Sequence, residues 1–509
     1  RHWHVGWRWL LSLRLDPGAN KKGWNMHQRV QFSDDIEPFV QFIEETDPSD
    51  IVDQTLAKLR NGVSARTILT ASVLAVTRSS DIPPGHHGGP LHPLVGLHAL
   101  RHLVDRLEGE NSFLPILQHV ALSNKHIHHP AMGPYMLLDI EPYDAGGVEA
   151  TKEAFLNAAS RGESHMADHC FLWLWDNVPA VEALDLLLSI AIPKNVLDDH
   201  YFVFPGYTWR AIEWLGQEYL PILMRPVVRY TARFPSKPEL PEIEALIDKY
   251  ELMSRPLRQQ TGDDETETIG RVGDVIGQCN DFADIPAALA KALAEGLSME
   301  GAGEALSIGA AGLFLRSLTG NPMDVHLHTS ANLRRYLVRM EGLSRHNKLL
   351  TLLLWHTGPE VRSTQNRLEA SSQADPDAVA ALPYRTQEEL LDTLTQHIYQ
   401  QPPIDWAGAT NLGQVRAVPE VKTVIHLAQQ YVDNGYDATA FINRLAEIVC
   451  HDNFTEMHAF KHHQAVIEEF YATREPWRWN HLVAGAQASA ISFGKNMEVY
   501  EAAIELLHA

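Results

Sequence analysis

Apolar positions recur at three- and four-residue intervals along most of this chain, the spacing that lays one face of a helix against a core. Residues 49–61, 64–78 and 91–108 show it first. It returns near 148–161, 164–176, 180–192, 207–220, 240–254, 285–297, 301–318 and 324–340, and again near 346–356, 386–399, 419–434, 438–450, 456–472, 477–491 and 494–508. Strict alternation is absent; the best short strand candidate is Tyr201-Phe202-Val203-Phe204. The pattern predicts an all-α fold, a multi-helix globular bundle of packed helical hairpins with little or no β-structure.

Three stretches break the helical rhythm. Residues 80–90 carry Pro83, Pro84, Gly85, Gly88, Gly89 and Pro90, which is concentrated turn chemistry. Residues 256–268 form an acidic, solvated loop, and residues 358–385 are polar around Ser371-Ser372-Gln373-Ala374-Asp375-Pro376. The second and third bracket a central helical layer (269–357); before it lie an irregular N-terminal segment (1–33) and an N-terminal helical region with a histidine-rich loop (34–255), and after it a C-terminal helical region (386–509). The regions are expected to pack as one unit. No repeat period marks a solenoid.

Composition narrows the function classes. Hydrophobic residues make up 45% and charged residues 21%, the balance of an ordinary globular protein. A formal net charge of −22 repels phosphate backbones and anionic lipid, so neither nucleic acid nor membrane is an expected partner; a small-molecule substrate is. The widely spaced Cys170, Cys279 and Cys450 fit no disulfide framework or zinc knuckle and read as small buried residues in a reducing, cytoplasmic setting. No apolar run is long enough to span a membrane, and the Arg-interrupted start, Arg1 to Arg14, does not read as a secretion signal.

Histidine is the candidate chemistry. There are 27, many in clusters: His86/His87/His92 with His98 and His102, then His126/His128/His129, His165/His169, His326/His328 and His458/His462/His463. Imidazole accepts and donates protons near neutrality, and its neutral form is the commonest metal ligand. His92 falls in the first turn of its predicted helix, where the positive end of the helix dipole favours the neutral ring. Pairs four residues apart (His98/His102, His165/His169, His458/His462) share a helix face and have the spacing to hold one metal ion. His326 and His328 point to different sides of a helix, so one of them is expected to be structural. Asp324 is placed to cap that helix.

Other motifs read as structure. Gly301 to Gly312 resembles a phosphate loop only superficially, since no strand precedes it and no Gly-Lys-Ser/Thr follows; small residues on a closely packed helix explain it. No nucleophile elbow, flavin motif or dinucleotide fingerprint is present.

Three stretches resemble the questin-oxidase-like family, all-helical proteins that include fungal polyketide-tailoring enzymes. They are His92-Pro93-Leu94-Val95-Gly96-Leu97-His98-Ala99-Leu100, Asp324 to Leu337, and Asp452-Asn453-Phe454-Thr455-Glu456-Met457-His458-Ala459-Phe460-Lys461. The resemblance implies a monooxygenase-like, Baeyer–Villiger oxidation of a cyclic or aromatic substrate, dependent on oxygen and linked to NADPH. On position and chemistry, His92, His98, His326 and His458 are the expected acid/base groups or metal ligands, converging from three separated helices. The rival reading is a metalloenzyme, an iron oxygenase or zinc hydrolase, with His165, His169, His458 and His462 as ligands and Asp168 or Glu456 completing the set. A non-catalytic helical ligand carrier is the third.

Overall fold

A computed structural model describes residues 28–79, 89–130, 137–235, 238–317, 322–400, 420–451, 456–492 and 498–509. It is all-α: among the described residues the only β pairing is two isolated bridges, Arg29 to Leu138 and Ser317 to Leu368. Gly85, His86 and His87 of the Pro/Gly-rich loop lie outside the described residues.

The best short strand candidate, Tyr201–Phe204, is helical, part of His200–Leu215. Burial accounts for the difference. Tyr201, Phe202, Val203 and Phe204 are all buried, so the helix is apolar on every side there and shows neither alternation nor a polar stripe. Phe113–Ile127 escaped the periodic pattern for the same reason, being buried from Leu114 to Asn124. Thr266–Gln278 was obscured by the acidic segment that leads into it.

The small-residue stretch forms the buried Met299–Arg316 helix, packed against Thr266–Gln278. A Cβ added at Gly309 would stand 2.3 Å from Ile276 Cγ2, and one at Gly312 would stand 3.1 Å from the Cα of Gly277. Glycine lets the two backbones approach closely, which accounts for the run without a phosphate.

One apolar cluster runs from Ile36 to Leu507 and draws on all three helical regions. The helix His92–Arg106 packs on His200–Leu215 and on His458–Ala472, and His326–Arg339 packs on both of the latter. At Gly96 a Cβ would lie 2.8 Å from Met457 Sδ, so a glycine there lets the start of the His458 helix settle against the His92 helix.

Candidate active site

Four helices begin with a histidine: His92–Arg106, His200–Leu215, His326–Arg339 and His458–Ala472. Their N-terminal ends meet. The His92 ring lies edge-on to His200 with centroids 5.1 Å apart and stands 5.3 Å from His458, which is 5.0 Å from His326. Phe204 closes one side, 5.6 Å from His92 and 4.8 Å from His200. All four imidazoles are buried. Each sits where the partial positive charge and free N–H groups of a helix start oppose a second positive charge.

The turn before His458 is strained. Glu456 and Met457 both adopt left-handed backbone (φ 52° and 60°), which non-glycine residues seldom do. The turn aims the Glu456 carboxylate at His92, with Oε2 3.1 Å from Nε2. That contact is close yet not aligned as a hydrogen bond, since His92 Nε2 is left without a hydrogen-bond partner. The opposite ring nitrogen, Nδ1, is 3.0 Å from Lys461 Nζ, one turn into the His458 helix.

Carboxylates back the other two rings. Asp198 Oδ1 lies 2.5 Å from His200 Nδ1, and Asp199 Oδ2 lies 3.7 Å from His326 Nδ1. Neither ring nitrogen of the buried His326 has a hydrogen-bond partner. Asp199 itself is fully buried against Gly358, where a Cβ would fall 1.4 Å from its Oδ1; only glycine fits.

Burial sets the protonation states. It holds His92 far below the usual imidazole range, with the Lys461 charge adding to the effect, and it lowers His326 to about 4. Both rings are therefore neutral at pH 7. Lys461 is lowered by burial to about 7, with Glu456 opposing the change. Asp199 is pushed well up by burial and by the neighbouring Glu360. Neutral imidazole is the metal-binding form and a weak acid, so the His92 and His326 rings are better ligands than proton donors.

Two groups of this cluster have the geometry to hold an ion: His92, Glu456 and His458, and Asp198, His200 and Glu360. Within each group the candidate ligand atoms lie within 4.8 Å of one another. The imidazole and carboxylate donors suit iron or zinc.

The remaining predicted residues lie elsewhere. His98 is six residues along the His92 helix, about 9 Å away at helical rise. It pairs with Glu468 at 2.7 Å, beside His102, in a network where Arg210 also holds Glu468. It does not join the other three predicted acid/base residues; with His102 and Glu468 it forms a separate group with the geometry to hold an ion. His462 faces away from His458, although the two are one turn apart; its Nε2 is 3.2 Å from His328 Nδ1 and its ring stacks on Phe314. His328, His462 and His481 are buried together, and burial holds His462 at about 3 and His481 at about 4, which makes them neutral core residues. His326 and His328 thus diverge, the first into the site and the second into the core.

The ligand set His165, His169, His458 and His462 is not assembled. His165 is exposed and His169 Nδ1 is 2.6 Å from the Glu141 carbonyl, while Asp168 is engaged by Arg225 at 2.9 Å. Neither His165 nor His169 enters any metal-capable group among the described residues. Asp324 is not a cap either: Val325 occupies the N-cap position, and the Asp324 carboxylate accepts from Thr364 at 2.7 Å and from Arg367.

Sequence reasoning missed His200, Asp198, Asp199, Glu360 and the role of Lys461. The signal for the first three was Asp198-Asp199-His200 directly ahead of an aromatic run, a polar triplet at a helix start. No family model matches this chain, and neither a curated protein nor a solved structure matches it. Among the described residues no helix is long and apolar enough to cross a membrane.

Proposed function

We propose that the chain is a histidine-ligated, metal-dependent oxidoreductase acting on a cyclic or aromatic small molecule. The observation that carries the proposal is the meeting of four buried helix-initiating histidines, His92, His200, His326 and His458, beside Glu456. A buried neutral imidazole nitrogen without a hydrogen-bond partner, as at His92 Nε2, is costly unless something claims it. A bound iron or zinc ion would do so, and would supply Lewis-acid or redox chemistry. Oxidation, the cyclic substrate and NADPH as donor rest on the likeness to questin-oxidase-like proteins.

The residues around such an ion have separable tasks. Glu456 supplies a carboxylate that offsets the ion's charge. Lys461, poised near neutrality, takes a proton from an acidic C–H or O–H of the substrate, or returns one. Phe204 packs on His92 and His200 and gives the cluster an apolar wall.

Lys461 also favours a second reading, a metal-free oxidase in which its amine is the general base beside His92. One experiment separates the two. Protein stripped of metal and then loaded anaerobically with iron(II) or zinc is tested for oxygen uptake with a panel of cyclic and aromatic ketones, with and without NADPH. Uptake that needs iron supports the leading reading. Full uptake by the stripped protein supports the second, and turnover with neither form, on any substrate, removes both.

A further inference from the structure

Asp198 and His200 form a pair whose chemistry fixes the tautomer of the imidazole. Asp198 Oδ1 receives the His200 ring at 2.5 Å through Nδ1 and the His200 backbone N–H at 2.9 Å. Its other oxygen accepts from the Tyr230 hydroxyl at 3.3 Å. Asp198 Oδ1 already accepts from a backbone N–H and Oδ2 from a hydroxyl, so the side chain acts as an acceptor and Nδ1 carries the hydrogen. The lone pair then sits on Nε2, on the ring edge away from Asp198. Phe204, with its centroid 4.8 Å from His200, restricts rotation of the ring.

From this geometry we infer that Asp198 is a positioning residue: it fixes His200 as the Nδ1–H tautomer and leaves Nε2 as the ring's ligand atom. The inference rests on the metal reading above. It also chooses between two roles, because Asp198, His200 and Glu360 lie close enough for Asp198 to be a ligand itself. A positioning carboxylate acts through the hydrogen bond it accepts, and the carbonyl of an asparagine can accept the same bond. A ligating carboxylate acts through its charge and its bond to the ion, which asparagine does not replace. Outer partners of this kind typically contribute about 10- to 100-fold in metal affinity.

The test is cobalt(II) titration of metal-free wild-type protein, Asp198→Ala, Asp198→Asn and Tyr230→Phe, followed by the visible absorption of the bound ion. Circular dichroism of each variant reports whether it has folded. The expected result is a loss of about 10- to 100-fold for Asp198→Ala, with Asp198→Asn restored to within a few fold of wild type and an unaltered spectrum. Tyr230→Phe should change affinity by only a few fold, which keeps the test open if the alanine variant does not fold. Wild-type affinity in Asp198→Ala would overturn the inference, as would an asparagine variant as weak as the alanine one or with a changed spectrum. Wild-type protein that binds no cobalt would instead overturn the metal reading on which it stands.

Discussion

Lys461 Nζ lies 3.0 Å from His92 Nδ1, across 369 positions of sequence. The amine is buried, and burial brings it to about 7, so it exchanges a proton under ordinary conditions while His92 stays neutral. Lys461→Met should leave bound metal within twofold of wild type. Turnover on whichever cyclic ketone the wild type oxidises should fall by about 100-fold or more. Unchanged turnover in that variant would exclude Lys461 as the proton-transfer group.

The helical fold was largely legible because a half-buried helix must show apolar residues every third or fourth position, as in Ile51–Arg60 and Ala438–Val449. Legibility failed where burial is complete, since Phe113–Ile127 and the start of the His200 helix leave no polar stripe to read. The site was legible residue by residue but not as an assembly. His92, His326 and His458 could be singled out, but the pattern says which residues share a face and not which helices meet. That is why His98, six residues beyond His92 on the same helix, was grouped with it. It is also why His458 and His462 were paired although their rings serve different clusters.

Asp324 and Arg367 are a buried ion pair, with Thr364 donating to the same carboxylate oxygen. Arg367→Met strands an acid that is wholly buried, at a cost of about 3–5 kcal/mol. Burial raises the Asp324 acid in the folded state, so the folded form holds its proton more tightly than the unfolded form. That contribution to stability is present at low pH and is lost as pH rises through the folded value. Urea unfolding at pH 5 and pH 8 should therefore find the variant weakened more at pH 8; an equal loss at both would contradict this account.

The glycines of Met299–Arg316 should separate into two kinds. Gly309→Ala drives a Cβ to 2.3 Å from Ile276 and 3.2 Å from the Gly273 carbonyl, and should destabilise by about 1–3 kcal/mol. Gly303→Ala meets nothing closer than Arg335 Cγ at 3.4 Å and gains helix propensity, so it should be neutral or stabilising by up to about 1 kcal/mol. Thermal melts of the two variants, run side by side, check the ordering.

The most direct test of the account is plasma mass spectrometry of the purified chain after loading with iron(II) or zinc and desalting. The predicted result is near-stoichiometric metal in the wild type and in the doubly substituted His165→Ala/His169→Ala protein, with most of it lost from His92→Ala/His458→Ala. A wild type without metal, or a His92/His458 variant that keeps its full complement, would contradict the claim that the helix-initiating histidines form the centre.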